Sequence, residues 1–299
     1  MNANQELKLK MSFTPSPENF AIKEHIVSDS SGNLMVIAVA GSGKTTTICW
    51  VLPFIPDAEQ KSILFMAFSK NIVTALEPRV PATVSVKTGH ALGLAAWKRF
   101  TNFTFRGKAM DGSKTFVLLK DLLKSRSDFD LYAAPIQRLV GFAKNAGMGT
   151  HLLENTYPSW YHLISHNNII LDDAADEQRL VELATETLAK SVAVGREFID
   201  FDDMLYLPLL HNCSFDKKNF IFIDEAQDTN GVQRALISRM LAPAPYGRLI
   251  AVGDPSQAIY GFRGADATAM TDMQKEFNMK VLPLSVSYQI GRASCRERV

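Results

Sequence analysis

Two groups of residues in this chain carry side chains whose types and spacing suit phosphate chemistry. The first is Ala40-Gly41-Ser42-Gly43-Lys44-Thr45-Thr46. Closely spaced glycines let backbone N–H groups cradle phosphate oxygens, the lysine reaches the β- and γ-phosphates, and the following hydroxyl binds Mg²⁺. Ala40, Gly41, Ser42, Gly43, Lys44, Thr45 and Thr46 are therefore candidates to hold a nucleoside triphosphate, with Thr45 a magnesium ligand. The general pattern has a further glycine where Ala38 stands, and a small residue still fits. The plainer alternative is a glycine-rich turn with an accidental lysine.

The second group is Asp224-Glu225-Ala226-Gln227-Asp228, which follows the apolar run Phe220–Ile223. Carboxylates at the end of a buried strand sit at the rim where doubly wound folds bind ligands. Asp224 is placed to hold Mg²⁺ and Glu225 to orient and deprotonate an attacking water. The competing reading is a strand end followed by an acidic helix cap. A third stretch, Val252-Gly253-Asp254-Pro255-Ser256-Gln257-Ala258-Ile259-Tyr260-Gly261-Phe262-Arg263-Gly264-Ala265, sets an amide, two aromatics and an arginine after another apolar run. Gln257 could sense the γ-phosphate. Tyr260 and Phe262 could stack on bases, each worth about 1–3 kcal/mol, with Arg263 on the backbone. A core aromatic pair beside a surface arginine fits these residues equally well.

These groups need elements that bring them together. Short apolar runs at Met35–Ala40, Ser62–Phe68, Thr83–Val86, Asn219–Ile223 and Arg248–Val252 read as buried parallel strands. Helical patterns at Thr45–Leu52, Ser69–Leu76 and Val232–Leu241 lie between most of them. Alternation of this kind predicts an α/β fold with a doubly wound parallel sheet. From about residue 98 to 197 the pattern changes to amphipathic helices, such as Lys114–Lys124, Ala134–Ala146 and Ala174–Ala193, without a buried strand. A mainly helical subdomain inserted into the α/β domain accounts for this.

Bulk properties narrow the classes. Hydrophobic residues are 46% and charged residues 21% of the chain, as in ordinary globular proteins. No apolar run is long enough for a membrane span and no signal-peptide core opens the chain, so a cytoplasmic location is the default. Three cysteines are too few and too scattered for a disulfide framework or zinc site. A net charge of +1 is not a nucleic-acid signature, so DNA binding has to rest on particular residues.

In this order, GSGKTT, FIDEAQDTN and VGDPSQAIYGFRGA resemble the UvrD/Rep branch of superfamily 1 DNA helicases, with its F-box-helicase-like relatives, over roughly residues 13 to 288. The resemblance implies a RecA-like P-loop NTPase sheet, made of residues 1–97 and 198–288, with the helical subdomain 98–197 inserted. It implies ATP and Mg²⁺ as ligands, single-stranded DNA and single-strand/duplex junctions as partners, and a second RecA-like domain completing the site. Ala67-Phe68-Ser69-Lys70-Asn71 looks like the motif whose aromatic stacks on single-stranded DNA, which would be Phe68. Thr88-Gly89-His90 looks like the next DNA-contacting motif, through Thr88 and His90; buried core remains the alternative for Phe68, and a structural role for His90. Phe201-Asp202-Asp203-Met204-Leu205 resembles the segment by which the chain re-enters the first domain. Movement in the 3′ to 5′ direction follows from the likeness alone.

Two departures stand out. The family usually has a glutamine that reads the adenine edge, and Asn19 occupies the aligned position with an amide one methylene shorter. Where the family reads tyrosine-arginine, this chain has Tyr288-Gln289. The last residues, 289–299 (QIGRASCRERV), match the in-frame translation of a common sequencing-library adapter. Their arginines are therefore not read as a DNA-binding arm. On that expectation the second RecA-like domain, and an arginine worth about 10³–10⁵ in rate, are absent, and the chain binds Mg-ATP weakly and hydrolyses it barely.

The leading expectation is the ATP-binding part of a DNA-dependent ATPase that translocates on single strands and unwinds duplex. The competing class is a nucleotide-gated DNA-binding module without unwinding. The segment Trp97-Lys98-Arg99-Phe100…Phe105-Arg106-Gly107-Lys108 is either a duplex contact or a solvated helix end. All of this requires Lys44 and the acidic pair to converge on one triphosphate at neighbouring strand tips.

Overall fold

The structure, a computed structural model, describes residues 14–28, 32–102, 110–257 and 268–286. Tyr260, Phe262, Arg263 and the 289–299 tail lie outside the described residues.

Among the described residues six parallel strands form one sheet in the order β3-β2-β4-β5-β1-β6. They are β1 (Leu34–Ala38), β2 (Ile63–Ala67), β3 (Val84–Thr88), β4 (Phe220–Ile223), β5 (Arg248–Gly253) and β6 (Lys280–Leu284). β1, β2 and β4 are unbroken apolar runs, and β5 is one after Arg248, because both sheet faces are covered. Alternate side chains go to opposite faces. Val36, Phe65, Phe222 and Ile250 join one core, and Met35, Leu64, Ile221 and Leu249 join the other. The sheet is the α/β arrangement that the apolar runs predict.

Helices cover the two faces. Against the first core lie α1 (Pro17–Val27), α2 (Lys44–Val51) and α3 (Lys70–Leu76). The start of α1 is set locally: Ser16 caps it, Pro17 supplies a fixed φ at the first position, and Asn19 closes a capping box. α10 and α11 (Gly231–Met240 and Ala269–Glu276) supply the second core.

Among the described residues six further helices lie between β3 and β4: α4 (Gly89–Thr101), α5 (Lys114–Leu122), α6 (Arg126–Ala146), α7 (Tyr157–His166), α8 (Glu177–Ala193) and α9 (Asp203–Leu210). Their core includes Trp97, Leu119, Ile136, Leu139, Trp160, Leu180 and Leu188, together with Leu207 of α9. Trp97 is 1% exposed and donates from Nε1 to the Gly195 carbonyl at 3.0 Å. It is thus a core residue, whereas Phe100 on the same helix is exposed.

Four buried charges join this helical layer to the start of α9. Lys114 Nζ donates to Asp203 Oδ2 at 2.6 Å, and Lys144 Nζ donates to Asp200 Oδ2 at 2.6 Å and pairs with Asp203 Oδ1 at 2.8 Å. Burial raises the Asp203 carboxyl, but the two ammonium groups outweigh it and hold it below the usual carboxylate range. No helix among the described residues is long and apolar enough to cross a membrane.

Candidate functional site

Both chemical groups lie at the carboxyl edge of the sheet, where open α/β folds bind ligands. They are not on adjacent strands. β5 lies between β4 and β1, so the expectation of neighbouring tips is corrected to tips one strand apart. The gap is bridged by the side chains of Lys44 and Thr45, which reach Glu225 and Asp224.

The turn after β1 depends on backbone conformations that favour glycine: Gly41 and Gly43 have φ of 73° and 78°. Gly43 is the residue from which α2 starts, so the N–H groups of the first helical turn face the loop. Ser42 is fully buried, and its Oγ has no hydrogen-bond partner among the described residues. A concave row of N–H donors with a buried unsatisfied hydroxyl suits an anion. Arg79 adds a cation nearby, donating to Thr46 Oγ1 at 3.3 Å.

Across β5, Lys44 Nζ donates to Glu225 Oε2 at 2.5 Å, and the Thr45 hydroxyl donates to Asp224 Oδ2. The structure thus brings Lys44, Thr45, Asp224 and Glu225 together. Asp224 is raised above the usual carboxylate range, by burial first and by the neighbouring Glu225; the Thr45 hydrogen bond and Lys44 oppose the shift. Glu225 sits in the left-handed region, φ 53° and ψ 48°, a conformation costly for a residue with a Cβ. Such strain persists where surrounding contacts fix it, and here a chain of amides does so. Gln227 Nε2 donates to Glu225 Oε2 at 2.9 Å, the Asp254 N–H donates to Gln227 Oε1 at 3.0 Å, and Gln257 Nε2 donates to Asp254 Oδ2 at 2.9 Å. Gln257 is therefore joined to the carboxylates through Asp254 and Gln227, neither of which the sequence reading gave a role.

The donor set fits magnesium. Thr45 and Asp224 offer hard oxygens side by side, and Mg²⁺ is commonly held by one or two carboxylates plus phosphate and water. Among the described residues no cluster of three or more His, Cys, Asp or Glu side chains forms a metal cage.

Asn19 is placed differently from the role implied for it. Its side chain is fully buried, Oδ1 accepts from the Ser16 N–H at 2.8 Å, and Nδ2 donates to Thr47 Oγ1 at 2.9 Å. Thr47 Oγ1 in turn donates to the Gly43 carbonyl at 3.0 Å. The amide braces α1 against the phosphate-loop helix, and its polar edge is occupied.

A groove of about 1220 Å³ runs from Glu225 and Gln257 to Phe68 and His90, with Arg138 and Asn145 of α6 on its far wall. Phe68 is half-buried at the tip of β2, and the His90 ring lies 4.6 Å from that of the exposed Phe201. The Thr88 hydroxyl accepts from the Ala91 N–H at 3.1 Å and caps α4, a structural use beside the one implied. Arg138 and Asn145 escaped the sequence reading because polar residues on an amphipathic helix look like any solvated face.

Comparison with known proteins adds a family. The UvrD/REP helicase N-terminal domain matches residues 19–278. The chain is similar to the ATP-dependent DNA helicase PcrA of Bacillus subtilis (strain 168), 23% identical over 301 aligned positions that cover 90% of this chain and 37% of the relative. It is similar also to the ATP-dependent DNA helicase UvrD1 of Mycobacterium leprae (strain TN), 24% identical, covering 82% of this chain and 34% of the relative. PcrA of Staphylococcus aureus (strain COL) is 24% identical, with 84% and 35% covered. The chain spans about a third of the length of these relatives.

Proposed function

The chain belongs to the UvrD/REP helicase N-terminal domain family, and from that premise we propose that it is the ATP-binding part of a DNA helicase motor. The convergence of Lys44 and Thr45 with Asp224 and Glu225 carries the reading. Ala40, Gly41, Ser42, Gly43 and Thr46 cradle the phosphates of ATP, and Lys44 holds the β- and γ-phosphates. Thr45 and Asp224 hold Mg²⁺, which would neutralise charge developing on the phosphate oxygens. Glu225 accepts the proton of the attacking water, and Gln257 reports the γ-phosphate to the amide chain through Asp254 and Gln227.

Single-stranded DNA lies in the groove, stacked on Phe68 and flanked by His90, with Thr88 near the strand. Residues 1–97 and 198–288 form the RecA-like domain, and 98–197 the inserted helical subdomain. In this reading a second RecA-like lobe closes over the nucleotide, and the motor advances 3′ to 5′ at single-strand/duplex junctions.

A fluorescent ATP analogue with Mg²⁺ and a labelled oligothymidylate test the reading directly. The chain is expected to bind both, Lys44→Ala to lose the nucleotide, and Phe68→Ala to weaken the oligonucleotide by about 5- to 150-fold, the loss of one stacked base. Binding of neither ligand overturns the reading. Strand displacement by a protein carrying both lobes separates a motor from a nucleotide-gated clamp.

A further inference from the structure

On the face of α6 that lines the groove, Asn145 joins the helix to the residue that ends the acidic turn of the nucleotide site. Asn145 Nδ2 donates to Asp202 Oδ1 at 3.1 Å and to the Gly141 carbonyl at 2.9 Å, while its Oδ1 accepts from Asn230 Nδ2 at 2.8 Å. Asn230 is 5% exposed and starts α10 with a capping box: its Oδ1 accepts from the Gln233 N–H at 2.9 Å, and Gln233 Oε1 accepts from the Asn230 N–H at 3.0 Å. It stands two residues after Asp228, so it ends the strained turn that begins at Glu225. The other end of the bridge, Asp202, belongs to the segment anchored by the buried Lys114, Lys144, Asp200 and Asp203 cluster.

We propose that Asn145 is a positioning residue that couples occupancy of the groove to the nucleotide site. This rests on the proposed function and adds a route to it. A strand seated between Phe68 and Arg138 presses on the same face of α6 that carries Asn145. A shift of that helix moves the Asn230 cap, and through it the backbone that aims Glu225 and Gln227. A half-buried amide bridge transmits such a shift because moving the helix must exchange two protein hydrogen bonds for bonds to water.

The test is a double-mutant cycle on binding coupling in the 299-residue chain. The dissociation constant of a labelled oligothymidylate is measured without nucleotide and with saturating Mg²⁺ and a non-hydrolysable ATP analogue. The ratio is expected to differ from one by about fivefold or more. Asn145→Ala and Asn230→Ser each bring it close to one, and the double variant does no more than either single one. Serine caps a helix as well as asparagine does, so Asn230→Ser removes the bridge and keeps the start of α10. Gln233→Ala weakens the same capping box without touching the bridge, and it should keep the ratio while lowering the melting temperature.

A native ratio of one overturns the coupling. So does a ratio that survives in either bridge variant, or one lost equally in Gln233→Ala. Failure of the native chain to bind the oligonucleotide or the nucleotide at all instead overturns the proposed function, and the coupling with it.

Discussion

Lys44 Nζ and Glu225 Oε2 form an ion pair across the end of β5, with the lysine side chain 11% exposed and the glutamate 35%. The lysine proposed to hold the terminal phosphates is thus held by the residue proposed as general base. A triphosphate must displace the carboxylate from the ammonium group, and in doing so it frees the carboxylate for a water molecule. Binding and activation of the base are then one exchange.

That exchange gives Glu225→Gln two opposite effects. Removing the competing charge should tighten ADP binding by up to about fivefold, the worth of a half-exposed ion pair. In a protein carrying both lobes, removing the base should lower turnover of Mg-ATP by about 10²–10⁴-fold. Titration with a fluorescent ADP analogue and a phosphate-release assay read the two separately. Weaker ADP binding by Glu225→Gln would show that the pair does not compete with phosphate.

Much of this site could be read from the chain before its folding was known. The phosphate loop is legible because glycines, lysine and hydroxyls serve one local job, and strand β4 is legible because both of its faces are buried. Asn19, Asn145 and Gln227 were not. Their functions depend on partners far along the chain: Thr47 for Asn19, Asp202 and Asn230 for Asn145, and Asp254 for Gln227. Lys114 and Lys144 mislead for a similar reason. On amphipathic helices they look solvated, yet both are buried against Asp203.

Asp203→Asn tests that cluster. The substitution leaves two buried ammonium groups with one carboxylate between them, and breaking a buried pair from one side costs about 3–5 kcal/mol. Urea unfolding should show that loss at neutral pH. A change below about 1 kcal/mol would mean that the charges are hydrated in solution.

Asp202 makes a prediction about pH. Burial, and then Asp200, push its carboxyl up to about 6, against the opposing effects of Lys144 and the Asn145 hydrogen bond. An acid whose folded value is raised binds more protons folded than unfolded between its two values, so folding stability falls as pH rises through that window. Asp202→Asn keeps an oxygen for Asn145 and removes the charge. It should be more stable than the native chain at pH 8, by at most about 3 kcal/mol. The advantage should shrink below pH about 6 and vanish near pH 4. An advantage independent of pH would contradict the assignment.

Gly253 tests whether the amide chain, and not the carboxylates alone, sets the geometry of catalysis. A Cβ there would lie 2.6 Å from Gln227 Oε1, 2.9 Å from Met270 Sδ and 3.1 Å from the Ala226 nitrogen. The methionine can swing away, but the glutamine is tied to Glu225 and the Ala226 nitrogen belongs to the main chain of the acidic turn. Gly253→Ala should therefore push Gln227 off the Asp254 N–H and release the side chain that steadies Glu225. Overpacking of this kind costs about 1–3 kcal/mol of stability, and in a protein carrying both lobes turnover should fall further than nucleotide affinity. If the effect on turnover travels through Gln227, then Gln227→Ala alone should lower turnover to a similar degree, and adding Gly253→Ala to it should change little. Additive losses in the double variant would place the damage in the backbone of the turn and remove Gln227 from the argument.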